Sequence, residues 1–266
     1  MPRFALLCCA LPGFAQLVTD NATKVELLKA AFPGSHVVLS TRAPLDWRSS
    51  AWPGQTVGDA LEGEKEYEVV APPDRAEEAF AMPTVIEDFP RLDLRRVRFK
   101  AYRLPASDTA ERYAAVAHYQ FSGVKTHPFC CGWFTRVFLL TRKGGGWTVR
   151  QTGGSLTYRG KAVRSFDVLE LGATSLVALE AECTAAGYRR WFTMSIFNVA
   201  EDELRPWAQV ETLSTEDDVH TQFKKELDLE KTRRSGGAEL YFRVTEYREG
   251  QAPKTHEEIV HGARAN

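Results

Sequence analysis

From residue 95 to the C-terminus, apolar side chains recur at every second position in runs separated by turn-forming residues, and this alternation most constrains the fold. Successive side chains of an extended strand point to opposite faces, so a period of two turns one row toward a core and the other toward solvent. Tyr113, Ala115, Ala117, Tyr119 and Phe121 form one such row. Residues 135–141 are apolar on both faces, as a central strand would be. Gly144-Gly145-Gly146 then leads into Trp147-Thr148-Val149-Arg150, a hairpin signal. Val177, Leu179, Ala181 and Cys183 line one face of the next strand, with Leu176, Ala178, Glu180 and Glu182 on the other. Further strands are predicted over residues 188–199, 204–213 and 223–229, and Leu240, Phe242 and Val244 alternate with Tyr241, Arg243 and Thr245. Regular turns between alternating strands predict a mainly β (α+β) chain built as an antiparallel meander, whether sandwich, open sheet or barrel.

Ahead of the meander, the pattern predicts one helix over residues 21–32. Asn21 is a candidate cap, Thr23-x-x-Glu26 an alternative capping box, and Val25, Leu28 and Phe32 share a face. Pro33-Gly34 ends the helix, and His36-Val37-Val38-Leu39 reads as the following strand. Residues 41–63 show no sustained period, residues 66–70 read as a short strand, and residues 74–82 as a helical turn or two. The chain therefore divides into residues 1–15, a helix-bearing and irregular segment over residues 16–94, and a β-rich domain over residues 95–266.

Residues 1–16 carry the layout of a secretory signal peptide. Arg3 supplies a positive start, residues 4–11 an apolar run, Pro12-Gly13 a break, and Gly13-Phe14-Ala15 small residues where a signal peptidase cuts. Export to a periplasmic or extracellular space is the expectation, with the mature chain beginning at Gln16. The apolar run is far short of the roughly 20 residues that a membrane-spanning helix needs, and charges interrupt every later one. A net charge of −1 argues against a nucleic-acid binder, which carries a clear basic excess. Cys130, Cys131 and Cys183 remain in the mature chain, and a disulfide from Cys131 to Cys183, with Cys130 as the alternative partner, fits an oxidising compartment.

Four constellations bear on chemistry. His127-Pro128-Phe129-Cys130-Cys131-Gly132-Trp133 gathers an imidazole and two thiols, but adjacent cysteines diverge in an extended chain, so loop packing or the disulfide competes with metal ligation. His256-Glu257-Glu258-Ile259-Val260-His261 has one residue too many for the zinc-protease motif, and reads instead as a terminal strand. Glu180 and Glu182 share a strand face and could act as paired carboxylates on a glycoside, although alternating glutamates also make an ordinary solvent-facing row. With His118 and His127 they are the acid–base candidates. The run Arg95-Arg96-Val97-Arg98-Phe99-Lys100-Ala101-Tyr102-Arg103 could hold an anionic envelope polymer through Arg95, Arg96, Arg98 and Lys100, or be a solvated strand face whose long stems cover apolar surface. Trp133 and Trp147, with Trp191 and Trp207, are the candidates for an aromatic binding patch.

The chain has no Gly-x-Ser-x-Gly elbow, phosphate loop or dinucleotide fingerprint, and no cofactor is implied. The expectation is an exported, non-enzymatic β-rich protein that binds a protein or an envelope polymer. The alternatives are an exported hydrolase with a site assembled from separated residues, and an interaction domain that pairs through an exposed edge strand.

Overall fold

A computed structural model describes residues 14–47, 58–70, 94–105, 110–121, 133–151, 162–171, 174–184, 190–200, 203–215, 221–236, 239–248 and 250–261. Two seven-stranded antiparallel sheets account for most of them. The first contains β1 (Gln16–Leu17), β2 (His36–Leu39), β3 (Glu66–Val70), β4 (Leu94–Arg103), β5 (Glu111–Phe121), β6 (Trp133–Lys143) and β7 (Gly146–Gln151). Its order is β2-β3-β4-β5-β6-β7, with β1 added beside the end of β4. The second runs β14-β13-β12-β11-β10-β9-β8. Its strands are β8 (Val163–Leu171), β9 (Thr174–Thr184), β10 (Arg190–Ala200), β11 (Glu203–Thr215), β12 (Thr221–Leu227), β13 (Glu239–Arg248) and β14 (Lys254–His261).

Helix α1 (Asn21–Ala31) covers one face of the first sheet. Its cap is Asp20 rather than Asn21: the Asp20 carboxylate accepts from the Thr23 backbone N–H at 2.7 Å. An aspartate in extended conformation just before the first turn satisfies an otherwise orphaned donor there. Leu27, Leu28, Ala31 and Phe32 pack on Val97, Phe99, Ala117, Phe138 and Leu140, with the Phe32 ring edge-on to Tyr119 and Phe138 at 5.9 and 5.7 Å. The Gly144-Gly145 turn between β6 and β7 is the predicted hairpin, and both glycines have positive φ, which a tight turn requires at little cost only from glycine.

The opposite face of the first sheet meets the second. Ala114, Val116, Val137 and Leu139 share one apolar core with Val163, Phe166, Val177, Leu179 and Phe197. Residues 58–64 tie the layers together: Ala60 N–H donates to the Val163 carbonyl, Arg98 reaches the Leu61 carbonyl, and Glu64 pairs with Lys24 of α1.

The second sheet curls as a half-barrel. Leu169, Leu171, Leu176 and Ala178 from one side of it share a core with Leu240, Phe242 and Val244 from the other, and Met194, Ile196 and Val210 lie between. Bulges supply the bending, since an extra residue on one strand bends it and increases its twist. Arg164 is the extra residue of β8, between the pairs Val163↔Ala181 and Ser165↔Glu180. Thr212 and Trp207 are the extra residues of β11 against β10. A short helix α2 (Leu229–Arg234), capped by Asp228, lies between β12 and β13 and was not predicted. The chain after β13 is a strand, as read, with β14 paired to β13 over its whole length.

Candidate functional site

The arginine run does not form a solvated face: Arg95, Arg96 and Arg98 are all buried, Lys100 is half-exposed, and Arg103 at the end of the strand is exposed. The register explains part of this. Glu66, Arg98, His118 and Thr135 stand opposite one another across β3, β4, β5 and β6, forming one polar row. Glu68, Arg96, Gln120 and Trp133 form the next. Both rows lie on the side of β5 that carries Ala114 and Val116, so one half of this face is apolar and meets the second sheet, while the other half is charged and aromatic.

Residues 40–47 close over the charged half. The Leu45 backbone N–H and the Trp47 indole N–H both donate to Glu66, at 2.8 and 2.7 Å, and Ser40 donates to Glu68 at 2.9 Å. Arg96 pairs with Glu66 and donates to the Ala43 carbonyl at 2.9 Å. Arg98 holds both carboxylate oxygens of Asp59, at 2.6 and 3.3 Å, and its guanidinium sits 4.5 Å from the Trp47 ring centre. Guanidinium over indole is a favourable cation–π arrangement. The Trp47 ring also lies 4.9 Å from Trp133 and 5.3 Å from His118, and His118 is stacked on Trp133 at 5.5 Å with the planes 17° apart. His118 is fully buried, and its Nδ1 meets the Thr135 hydroxyl at 2.8 Å. Of the predicted site residues, this cluster gathers Arg96, Arg98, His118 and Trp133. Trp147 is not with them: it packs on the helix-side core beside Tyr113 and under Arg142, and Trp207 packs on the core of the curled sheet, so Trp133, Trp147 and Trp207 make no common patch.

Glu180 and Glu182 do share a strand face, but it is not a solvent-facing row: they are 4% and 3% exposed. Glu180 accepts from Arg164 at 3.0 Å and from the Thr212 hydroxyl, both bulge residues. Burial raises its proton affinity above the ordinary carboxylate range, against the opposing pull of Arg164, Thr212 and Lys224. Glu182 accepts from the Ala162 backbone N–H at 3.2 Å.

Cys183 is a free thiol near the Thr193 hydroxyl, 3.7 Å away, and burial pushes it up to about 11. Cys130 and Cys131, the partners expected for a disulfide at Cys183, lie outside the described residues, as does His127. Among the described residues, no three His, Cys, Asp or Glu side chains stand together as a metal site would require. No helix among them is long and apolar enough to cross a membrane.

Sequence reasoning missed Trp47, Asp59, Glu66, Thr135, Arg164 and Thr212. One signal was readable: Glu66 and Glu68 alternate on one strand as Arg96 and Arg98 do on another, so their charged faces complement each other. The bulges that aim Arg164 and Thr212 leave no comparable mark. No protein-family model, curated protein or solved structure matches the chain.

Proposed function

We propose that this chain is an exported protein that works by binding rather than by catalysis, with a protein or an envelope polymer as its partner. Support for the non-catalytic half comes from one observation: its described acid–base candidates are committed to internal partners. Glu180 is held by Arg164 and Thr212, Glu182 by the Ala162 N–H, and His118 by Thr135 between two indoles. A general acid or base has to bring such an atom within hydrogen-bond reach of its substrate. The buried arginines are likewise engaged, so the cluster around Trp47 holds the fold, and a partner meets other surface. Export rests on the charged start, apolar run and small residues of positions 1–16.

Expression from the full reading frame, with the purified protein weighed by mass spectrometry and assayed against ester, glycoside and peptide substrates, tests both halves. The expected product begins at Gln16 and hydrolyses none of the substrates. A hydrolysis that co-purifies with the protein and is lost in Glu180→Gln overturns the binding reading in favour of the hydrolase. Full-length protein retained in the cytosol overturns export.

A further inference from the structure

Among the described acid–base candidates, Glu180 is the one whose side-chain partners come from distortions in the strands on either side. A regular ladder on β8 and β11 would lack the extra residues Arg164 and Thr212, and bulges commonly re-aim a side chain. The groups around the carboxyl can be named by element. On β8 stand Arg164 and, opposite Glu180, Ser165, whose side chain also bonds the carboxylate. On β9 itself Glu182 lies two residues on. β10 places Met194 opposite, and β11 supplies Thr212. From β12 Lys224 acts on Glu180, while Glu226 is held by Lys224 and feels both Arg164 and Arg243.

The Thr212 hydroxyl also lies 3.3 Å from the Phe192 carbonyl. A hydroxyl donates and accepts, so it suits either state of its neighbour. With Glu180 ionised, Thr212 donates to the carboxylate. With Glu180 protonated, the carboxyl donates to Thr212, and the hydroxyl proton turns to the Phe192 carbonyl. Arg164 has no such freedom: a neutral Glu180 no longer balances its charge.

We propose that Glu180, Thr212 and Arg164 form a proton-operated latch in the curled sheet. One proton taken from solvent by Glu180 releases Arg164 and undoes the tie between β8 and β9. Burial favours the neutral carboxyl, so the folded chain holds this proton more tightly than the unfolded chain, whose ordinary value is 4.5. The stabilisation from proton uptake is complete below that value and is lost as pH rises through the folded one. Its greatest slope is about a tenfold change in the folding equilibrium per pH unit for one proton.

Carbon-13 titration of the glutamate carboxyls in the whole chain, with the Arg164 side-chain signal followed in the same samples, tests the latch. A carboxyl that titrates above the ordinary glutamate range is expected to disappear in Glu180→Gln and to persist in Glu182→Gln, separate from that of Glu170, which burial also raises. The Arg164 signal is expected to move with the same midpoint. If Glu180→Gln does not fold, Thr212→Val keeps the carboxyl and should shift that titration further upward, because the charge-assisted bond to the ionised form is stronger than the one to the neutral carboxyl. The latch is overturned if every glutamate titrates at or below its ordinary value, if Arg164 stays still while Glu180 titrates, or if Thr212→Val leaves the midpoint unmoved.

Discussion

The two sheets bury charge by different means. In the helix-covered sheet, glutamates of β3 face arginines of β4 in register, and residues 40–47 close the row with backbone donors and an indole. In the curled sheet Glu180 and Glu182 both enter the interior; Glu182 takes a backbone N–H, and two bulges bring an arginine and a threonine to Glu180. The first arrangement is a property of regular pairing, so several charges share it. The second depends on departures from pairing, so it serves one. Burying an ion costs several kcal/mol unless geometry and hydrogen bonds offset it, and these sheets show regular and irregular solutions to that cost within one chain.

If the helix holds the first sheet in place, its anchor should matter most. Phe32 is fully buried and meets Tyr119 and Phe138 edge-on. Phe32→Ala is expected to lower unfolding stability in urea by about 3–5 kcal/mol. A loss near 1 kcal/mol would mean that the sheet stands without its helix, and the contrast with the self-curled sheet would disappear.

The charged row offers a sharper test. Glu66 serves Arg96, the Trp47 indole and the Leu45 N–H together, so Glu66→Ala strips three donors of their acceptor and leaves a buried guanidinium uncompensated. The expected cost is about 3–5 kcal/mol. Adding Arg96→Met to that variant should recover part of the loss, because the stranded charge is gone. A double mutant no better than the sum of the singles would show that Arg96 contributes through packing, and that the row is not an electrostatic unit.

These contrasts track what could be read beforehand. β2 and β3 fall on the residues predicted, and the Gly144-Gly145 hairpin and the two faces of β9 follow the alternation, because pairing and pleat are local consequences of residue order. The cap moved one residue, to Asp20, since aspartate and asparagine are near-equal caps and only the geometry of the first turn separates them. Helix α2 was invisible for a similar reason: residues 229–234 carry no apolar period, and Asp228 caps a helix too short to show one. The burial of Glu180, Glu182 and Arg98 was misread because each alternates with apolar neighbours, and alternation says which face a residue takes but not whether something covers that face. Here both faces of β4 and β9 are covered.

A smaller effect is expected where the curled sheet's polar group loses one bond only. Thr212→Val keeps the shape of the side chain and removes the hydroxyl shared by Glu180 and the Phe192 carbonyl. Hydrogen bonds to charged groups are worth about 1.5–3 kcal/mol, and chemical denaturation near neutral pH should show a loss in that range. No loss would imply that Arg164 and Ser165 satisfy Glu180 without it, making the β11 bulge a device of curvature rather than of charge.

The smallest effect belongs to Cys183, on the β9 face that meets the helix-covered sheet. Burial holds its thiol near 11, so the reactive thiolate is scarce at neutral pH and modification by a thiol reagent should be slow until the chain unfolds. Cys183→Ala is expected to cost about 1 kcal/mol, as is typical of single substitutions, and equally with or without reductant. A bridged cysteine would behave otherwise, with about 2–4 kcal/mol lost only under oxidising conditions. That outcome would tie the curled sheet covalently to residues 130–131, the stretch that leads into β6 of the first sheet. The two sheets would then be joined by a bond as well as by the apolar core and residues 58–64, and the independence of their charge-burying solutions would have to be given up.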